Sequence, residues 1–488
     1  MTKKTLLFIL SLFLLSVIIR LPNLNRPLSK HHEFNTAFFL IPMEVWYQTS
    51  GCDYNFSPVL NYQNKADQGI NNFLGEDAEK SGNFFYLSFG AGAYVIPYFF
   101  LSFFGGPSVI GLQIFSLFVH LFCTLLIIKI AHWFLDKNNL KTSYALVSGI
   151  VYLFLPITLW FHGNGYTHHS MVVLFFLASV FYTLKVFEKE GGRKELLLLL
   201  ISLFLTIYTE WIGCFLAFTI FSIAIYKRNK LIVFISILSV VLALGCVTWQ
   251  YSSLIEINNF LNYLKDRFSV RSNLKEGEIS YLAFLLKYMY WYVLGFGFAL
   301  LLIIVNIILF LKNKVKINRK LYLLILFIPA LLHHFIFPEF TFAHDYSVLI
   351  DASFLSVVSS ILLASNQFKI KQTSYFIIGF TVVSFSIFQY YIINRPGKIS
   401  QRGENYSVFK NIGTFIHNNA QKDEVIFIQN LPDLPNPQVV FYSKRNFYSV
   451  NSKSEMKEII ISNQIKKVFF VKIKDYSISN SEHIFTEK

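Results

Sequence analysis

From Arg20 to Phe38 the chain reads RLPNLNRPLSKHHEFNTAF, and the rest of the sequence is organised around that stretch. It leaves the end of the first apolar run and sets two histidines and a carboxylate, His31, His32 and Glu33, at a membrane surface. An amphipathic segment rich in aromatics, Phe34 to Trp46, follows at once. A carboxylate held at the boundary between water and lipid suits a general base that must meet a lipid-borne substrate. The plainer reading of Glu33 is a solvated loop residue, and the stretch by itself does not choose between the two.

Composition narrows the class. The 488 residues are 54% hydrophobic and 18% aromatic, with a mean hydropathy of +0.49, which marks a polytopic membrane protein. The net charge of +15 comes as short basic clusters between apolar runs, such as Lys227-Arg228, Lys312 to Lys320, and Lys369 with Lys371. That is the positive-inside pattern of cytoplasmic loops, so membrane lipids are the expected partner and nucleic acid is not. Cys123, Cys214 and Cys246 fall in apolar runs and only Cys52 in an outer loop, with neither a zinc spacing nor a CxxC. Lys3-Lys4 and the apolar run after them resemble a signal peptide, but no small-residue cleavage site precedes Arg20. The expectation is a retained first helix with its N-terminus in the cytoplasm.

A spanning helix needs roughly 20 apolar residues. Candidates run near 5–21, 84–104, 107–131, 142–161, 168–187, 195–210, 211–226, 231–251, 282–311, 321–338, 346–365 and 373–393. Placing every basic cluster in the cytoplasm makes 195–226 a hairpin of two short helices with Thr209-Glu210-Trp211 at its outer tip. It also leaves one candidate too many before Lys137. The segment 84–104 holds Pro97 and several glycines and has no basic anchor, so it is predicted to be re-entrant within one outer loop, 22–106. About 11 to 13 crossings result, with the C-terminal part outside. Residues 1–394 thus form the membrane domain and 395–488 a small extracytoplasmic α/β domain. In that domain Ser407–Asn419 and Ser454–Ser462 read as helices, and Val425–Gln429, Val439–Tyr442 and Val468–Lys472 as strands.

With this topology the polar residues collect on one side. The outer ends carry His31, His32 and Glu33, then the turn Gly163-Asn164-Gly165-Tyr166-Thr167-His168-His169. Glu210, His333-His334 and the run Pro338 to Tyr346, with His344-Asp345-Tyr346 at its end, join them. Singly, each is an interfacial anchor; together they point to an outward-facing site. His120, buried in an apolar run, reads as structural, and Tyr288, Tyr290, Trp291 and Tyr292 as an interfacial belt.

A first helix, a long outer loop opening on an acidic motif, many crossings and an outer C-terminal domain resemble the GT-C glycosyltransferases. The nearest branch is that of the protein O-mannosyltransferases and the bacterial transferases that add aminoarabinose to lipid A. In that family an Asp-Glu pair opens the first loop and activates the acceptor hydroxyl; here the matching position is His32-Glu33. The resemblance therefore implies Glu33 as base with His32 as helper. Oligosaccharyltransferase relatives carry an Asp-x-Asp metal motif where this chain has Gly165 to His169, without an acid, which implies a metal-independent enzyme with no cofactor. Glu210 and the His344-Asp345-Tyr346 turn also match family positions, so His344 and Tyr346 are candidates at the donor and His168, His169 and Glu210 further site candidates.

The expected chemistry is transfer of a sugar from a polyprenyl phosphate to an acceptor glycan, lipid or protein outside the cell's inner (plasma) membrane. The loop 252–281 supplies Lys265, Arg267, Arg271 and Lys275, with Lys287 on the next helix. Arg267, Arg271 and Lys287 are the candidate clamp on the donor phosphate, arginine because its planar fork donates two bonds at once. Direct attack would invert the anomeric carbon. A transporter or flippase of lipid-linked glycans, and a glycan polymerase, stay open as alternatives; no internal repeat supports the first.

Overall fold

The protein was analysed as a computed structural model that describes residues 3–72, 78–80, 82–188, 190–274, 279–297, 299–300, 303–304, 307–308, 319–366, 370–393, 407–431, 436–475 and 477–485. Lys275 and most of the basic cluster 312–320 lie outside the described residues. Among the described residues, five stretches are long and apolar enough to cross a membrane: Lys3–Asn23, Val109–Lys137, His168–Phe187, Lys230–Ser252 and Asp345–Ser365. They contain helices α1 (Lys3–Arg20), α4 (Val109–Lys137), α7 (His168–Phe187), α10 (Lys230–Ser252) and α15 (Asp351–Ser365). Large apolar side chains such as Leu14, Phe122, Phe218 and Val241 point outward from the bundle, as a lipid-facing surface requires.

Between the long helices run shorter ones. The stretch 142–161 is divided at Pro156 into α5 (Ala145–Phe154) and α6 (Pro156–Phe161), since proline lacks the donor that an unbroken helix needs. The hairpin read from the sequence is present as α8 (Arg193–Thr209) and α9 (Ile212–Tyr226), with Glu210 and Trp211 at the tip. Beyond α10 come the amphipathic α11 (Ile257–Ser272), α12 (Tyr281–Phe296), α13 (Lys320–Ile336), the single turn and a half of α14 (Pro338–Ala343) and, after α15, α16 (Ile370–Ile393).

The connection from α1 to α4 is the long loop. It holds α2 (Glu33–Gln48), a two-stranded antiparallel hairpin of β1 (Ala78–Lys80) and β2 (Asn83–Phe85), and α3 (Gly92–Ser102). At 11 residues α3 is about 16 Å long, roughly half of a hydrocarbon core and too short to cross one by itself. Its approach is pressed against the α8–α9 tip: a Cβ on Gly90 would stand 2.0 Å from the Tyr208 carbonyl oxygen. Trp211 Nε1 donates to the Ser88 carbonyl at 2.7 Å, Tyr251 Oη to that of Phe89 at 2.7 Å, and Tyr166 Oη to that of Ala93 at 2.9 Å. These bonds stitch segment 88–93 over the ends of α7 to α10.

The C-terminal part is a four-stranded sheet in the order β4-β3-β5-β6: β3 (Val425–Gln429), β4 (Phe447–Val450), β5 (Lys467–Lys474) and β6 (Ser477–Phe485). β3 pairs in parallel with β4 and β5, and β6 lies antiparallel to β5. Helices α17 (Val408–Asn419) and α19 (Lys453–Ser462) fall where the sequence placed them. Val439–Tyr442, expected as a strand, belongs instead to helix α18 (Pro437–Ser443). Pro437 occupies its first turn, and the Asn436 side chain accepts the Val439 N–H at 3.1 Å, a start signal that outweighs four apolar residues in a row. β4 and β6 were not read from the sequence.

This domain sits on the same face as the long loop. Asn446 Nδ2 donates to the Tyr62 and Asp67 carbonyls at 2.9 and 3.1 Å, and its Oδ1 accepts the Tyr62 N–H at 3.1 Å. Arg445 pairs with Asp67 and Lys444 with Glu44. Burial raises the Asp67 carboxyl to about 6 although the Arg445 guanidinium and Asn446 pull it down.

Candidate functional site

The loop that leaves α1 is anchored at its start. Arg20, wholly buried at the end of α1, donates through Nη1 to the His162 carbonyl at 3.0 Å and through Nη2 to His120 Nδ1 at 2.7 Å. His120 thereby has the structural role read for it. Asn164 Nδ2 donates to the Asn23 carbonyl at 2.9 Å, tying the loop to the turn between α6 and α7. Glu33 begins α2 with no exposed surface. Its Oε2 accepts the Ser29 and Lys30 backbone N–H groups at 2.9 and 2.7 Å, and its Oε1 pairs with the Arg26 guanidinium. Both oxygens are thus engaged in folding residues 26–33 back on themselves, the work of a carboxylate at a helix N-terminus.

The folded loop presents its two histidines away from Glu33. His32 adopts a left-handed backbone, φ 55°, as a residue does only where surroundings fix it. His31 Nε2 lies 3.1 Å from both carboxylate oxygens of Asp345, and His32 Nε2 lies 3.0 Å from Oδ1. Trp160 Nε1 donates to the His31 carbonyl at 3.2 Å, fixing the loop from the α6 side. Asp345 is 1% exposed and precedes α15 in a short 3-10 turn, Asp345–Leu349. A buried carboxylate held between two imidazole edges is an arrangement able to accept and pass on a proton.

Tyr346 is the hub of the next layer. Its ring stands edge-on to His32 at 5.1 Å and to His168 at 5.7 Å, 5.5 Å from His169, and stacks on His344 at 4.9 Å and 23°. His168 and His169 open α7 behind a Thr167 cap, which brings both rings to Tyr346. Beyond them Glu210, buried at the α8–α9 tip, accepts the Ile212 N–H at 2.6 Å through Oε2 and turns Oε1 to His333 Nε2, 3.6 Å away. Among the described residues, two groups therefore offer ligand atoms within 4.8 Å of one another, His31, His32 and Asp345 in one and His169, Glu210 and His333 in the other.

Among the basic candidates, Arg271 reaches the site. Its guanidinium carbon lies 5.4 Å from the centre of the Phe340 ring, and that ring touches His168, His169, His344 and Tyr346. Arg267, one turn earlier on α11, lies against Tyr263, whose hydroxyl meets Ser88 Oγ at 3.3 Å. Lys287 stands 4.3 Å over Trp291, whose Nε1 donates to the Thr341 carbonyl at 3.1 Å, which brings that lysine to the rim.

His32, His168, His169, Glu210, His344, Tyr346 and Arg271 are brought together, and Glu33 is turned away behind the loop. Asp345 and His333, at the centre of the two groups, were seen in the sequence but not singled out. The signal for Asp345 was there: it is one of two carboxylates, with Glu339, in the run 338–346.

No family model matches the chain, and no curated protein does. Among solved structures it is similar to ArnT from Cupriavidus metallidurans bound to undecaprenyl phosphate, at 10% identity and a TM-score of 0.61, over 96% of this chain and 92% of that one. It is also similar to the archaeal oligosaccharyltransferase AglB from Archaeoglobus fulgidus in complex with an inhibitory peptide and a dolichol-phosphate. There the identity is 11% and the TM-score 0.56, over 96% of this chain and 69% of that one. At such identities the likeness is one of fold.

Proposed function

We propose that this chain, which has the GT-C fold of those two enzymes, is a membrane glycosyltransferase that moves a sugar from a polyprenyl phosphate to an acceptor at the extracytoplasmic face. The observation that carries the reading is the meeting of His31, His32 and Asp345 beneath Tyr346, with the Arg271 guanidinium across the Phe340 ring. The two related structures hold polyprenyl phosphates, undecaprenyl in one and dolichol in the other. An apolar groove of about 340 Å³ between α9 and α10, lined by Cys214, Phe218, Phe221, Ile237 and Val241, begins one turn below the α8–α9 tip and suits an isoprenoid tail.

In this mechanism Asp345, oriented by His31 and His32, takes the proton from the acceptor hydroxyl or amine. The freed electron pair attacks the anomeric carbon as its bond to the phosphate oxygen breaks. That bond's electrons leave on the polyprenyl phosphate, where Arg271, assisted by Arg267 and Lys287, meets the growing charge. The anomeric carbon inverts. Glu33, assigned the base from the sequence, acts here as the positioning residue that folds the histidine loop. The acceptor class, hexose or pentose specificity and the inner-membrane location belong to the same proposal.

The test is turnover by the full chain in detergent with radiolabelled polyprenyl-phosphate sugar and a panel of acceptors. Release of polyprenyl phosphate in step with labelled product is expected. A chain that leaves the donor intact but carries lipid-linked glycan across a proteoliposome bilayer would overturn the enzyme reading in favour of a transporter.

A further inference from the structure

We infer that His169, Glu210 and His333 form a binding site for one divalent transition-metal ion of the zinc class, separate from the His31–His32–Asp345 group. The three residues come from the first turn of α7, the α8–α9 tip and the last turn of α13, and none is more than 2% exposed. Their ligand atoms already lie within 4.8 Å of one another, and His333 Nε2 to Glu210 Oε1 is 3.6 Å. A tetrahedral ion with bonds of about 2.0–2.2 Å needs its donors roughly 3.3–3.6 Å apart, so small side-chain rotations complete the set.

A second observation points to a ligand. Both ring nitrogens of His169 are buried with no hydrogen-bond partner, and so is Nδ1 of His333. A buried imidazole with two unmet nitrogens is costly in an ordinary core and is explained when one of them binds an ion. The surroundings hold the donors in place: Phe340 stacks on His169 at 5.7 Å and 23° and meets His333 edge-on at 5.5 Å, and Phe337 covers His333 at 5.3 Å. The Ile212 N–H holds Glu210 Oε2, leaving Oε1 turned to the histidine.

Two imidazoles and one carboxylate choose the metal. Calcium and magnesium ask for six or more oxygens, which the cluster does not offer; zinc and its neighbours accept this set. Three protein ligands leave a fourth position open, as in zinc sites that bind a further group. Since those ring nitrogens lack an outer partner to orient them and raise their basicity, the ion is exchangeable and is removed by chelators.

The test does not depend on sugar transfer. The full chain in detergent is stripped with EDTA and titrated with Zn²⁺ alone and, in parallel, with Co²⁺, reading bound metal by mass spectrometry after desalting and Co²⁺ coordination by visible absorption. One ion per chain and a tetrahedral Co²⁺ spectrum are expected. His333→Gln and Glu210→Gln each weaken binding about 10–100-fold, and a protein carrying His31→Gln with Asp345→Asn binds as wild type does. Should His333→Gln fail to fold, Glu210→Gln carries the test, with loss of the Zn²⁺-dependent rise in melting temperature as its readout. Absence of stoichiometric binding in the wild type overturns the proposal. So does equal binding by wild type and Glu210→Gln, or loss of binding only when His31 and Asp345 are changed.

Discussion

Exchanging one carboxylate for its amide separates the two acids of the histidine loop. In Glu33→Gln the side-chain carbonyl can take the place of Oε2 and keep both the Ser29 and Lys30 N–H bonds, because both go to that one oxygen. What is lost is the charge-assisted contact of Oε1 with Arg26, whose side chain is only 12% exposed, and the new amide turns a donor toward a donor. A hydrogen bond to a charged group contributes about 1.5–3 kcal/mol, so the variant melts earlier by that much stability. Its folded fraction keeps turnover within about tenfold, since the proton acceptor is untouched. Asp345→Asn does the reverse. The amide fits the same space between His31 and His32 but accepts no proton, and loss of a general base lowers kcat by about 10²–10⁴-fold. Thermal melts and single-turnover rates on the two purified variants read both effects. A Glu33→Gln protein of normal stability and no turnover, beside an Asp345→Asn protein of near-normal turnover, would refute the assignment and return the base to Glu33.

Arg271→Lys keeps the charge over Phe340 but loses the planar fork, so donor KM rises about tenfold or more while Arg267→Lys has a smaller effect; steady-state kinetics on the two variants check the order. Asn446→Ala leaves the Tyr62 N–H and two carbonyls of the loop without partners, at about 1–3 kcal/mol for each buried group, and the C-terminal domain becomes sensitive to limited proteolysis at its junction. Asp67 carries a pH dependence of definite sign. Its folded pKa of about 6 lies above the ordinary 3.8, so the folded chain retains a proton that the unfolded one releases. Its contribution to stability is full below about pH 4 and is lost as pH rises through 6; Asp67→Asn removes that slope, and parallel melting curves for the two proteins between pH 4 and 7 would refute it.

Much of the architecture was legible because hydrophobic length and basic clusters decide it. The pairing of α8 with α9 and the short α3 both follow from counting crossings against lysines. The four apolar residues Val439–Tyr442 were ambiguous as to period, and the information that settled them stood just upstream in Asn436-Pro437. In the site, the histidines were legible as a group, and the burial of Glu33 was not. An acid beside two histidines in an outer loop looks solvated, and only the fold reveals that Arg26, seven residues earlier, returns to cover it. Asp345 was obscured for the opposite reason: its partners, His31 and His32, lie more than 300 residues away, a separation that no local pattern records.

The short helices explain how such a polar site is kept within a hydrophobic bundle. With 17 and 15 residues, α8 and α9 are about 26 and 22 Å long, less than the roughly 30 Å of a hydrocarbon core. Their tip carries Glu210, a carboxylate that would be costly if it faced lipid. Segment 88–93 covers that tip through the Trp211, Tyr251 and Tyr166 bonds and the bare approach of Gly90 to Tyr208. Irregular backbone there is tolerated because it lines protein rather than lipid. The covering segment and the two short helices thus work as one device. Together they bury an acid and a set of histidines in a low-dielectric space, where an aimed charge acts most strongly and where the proposed transfer would need it.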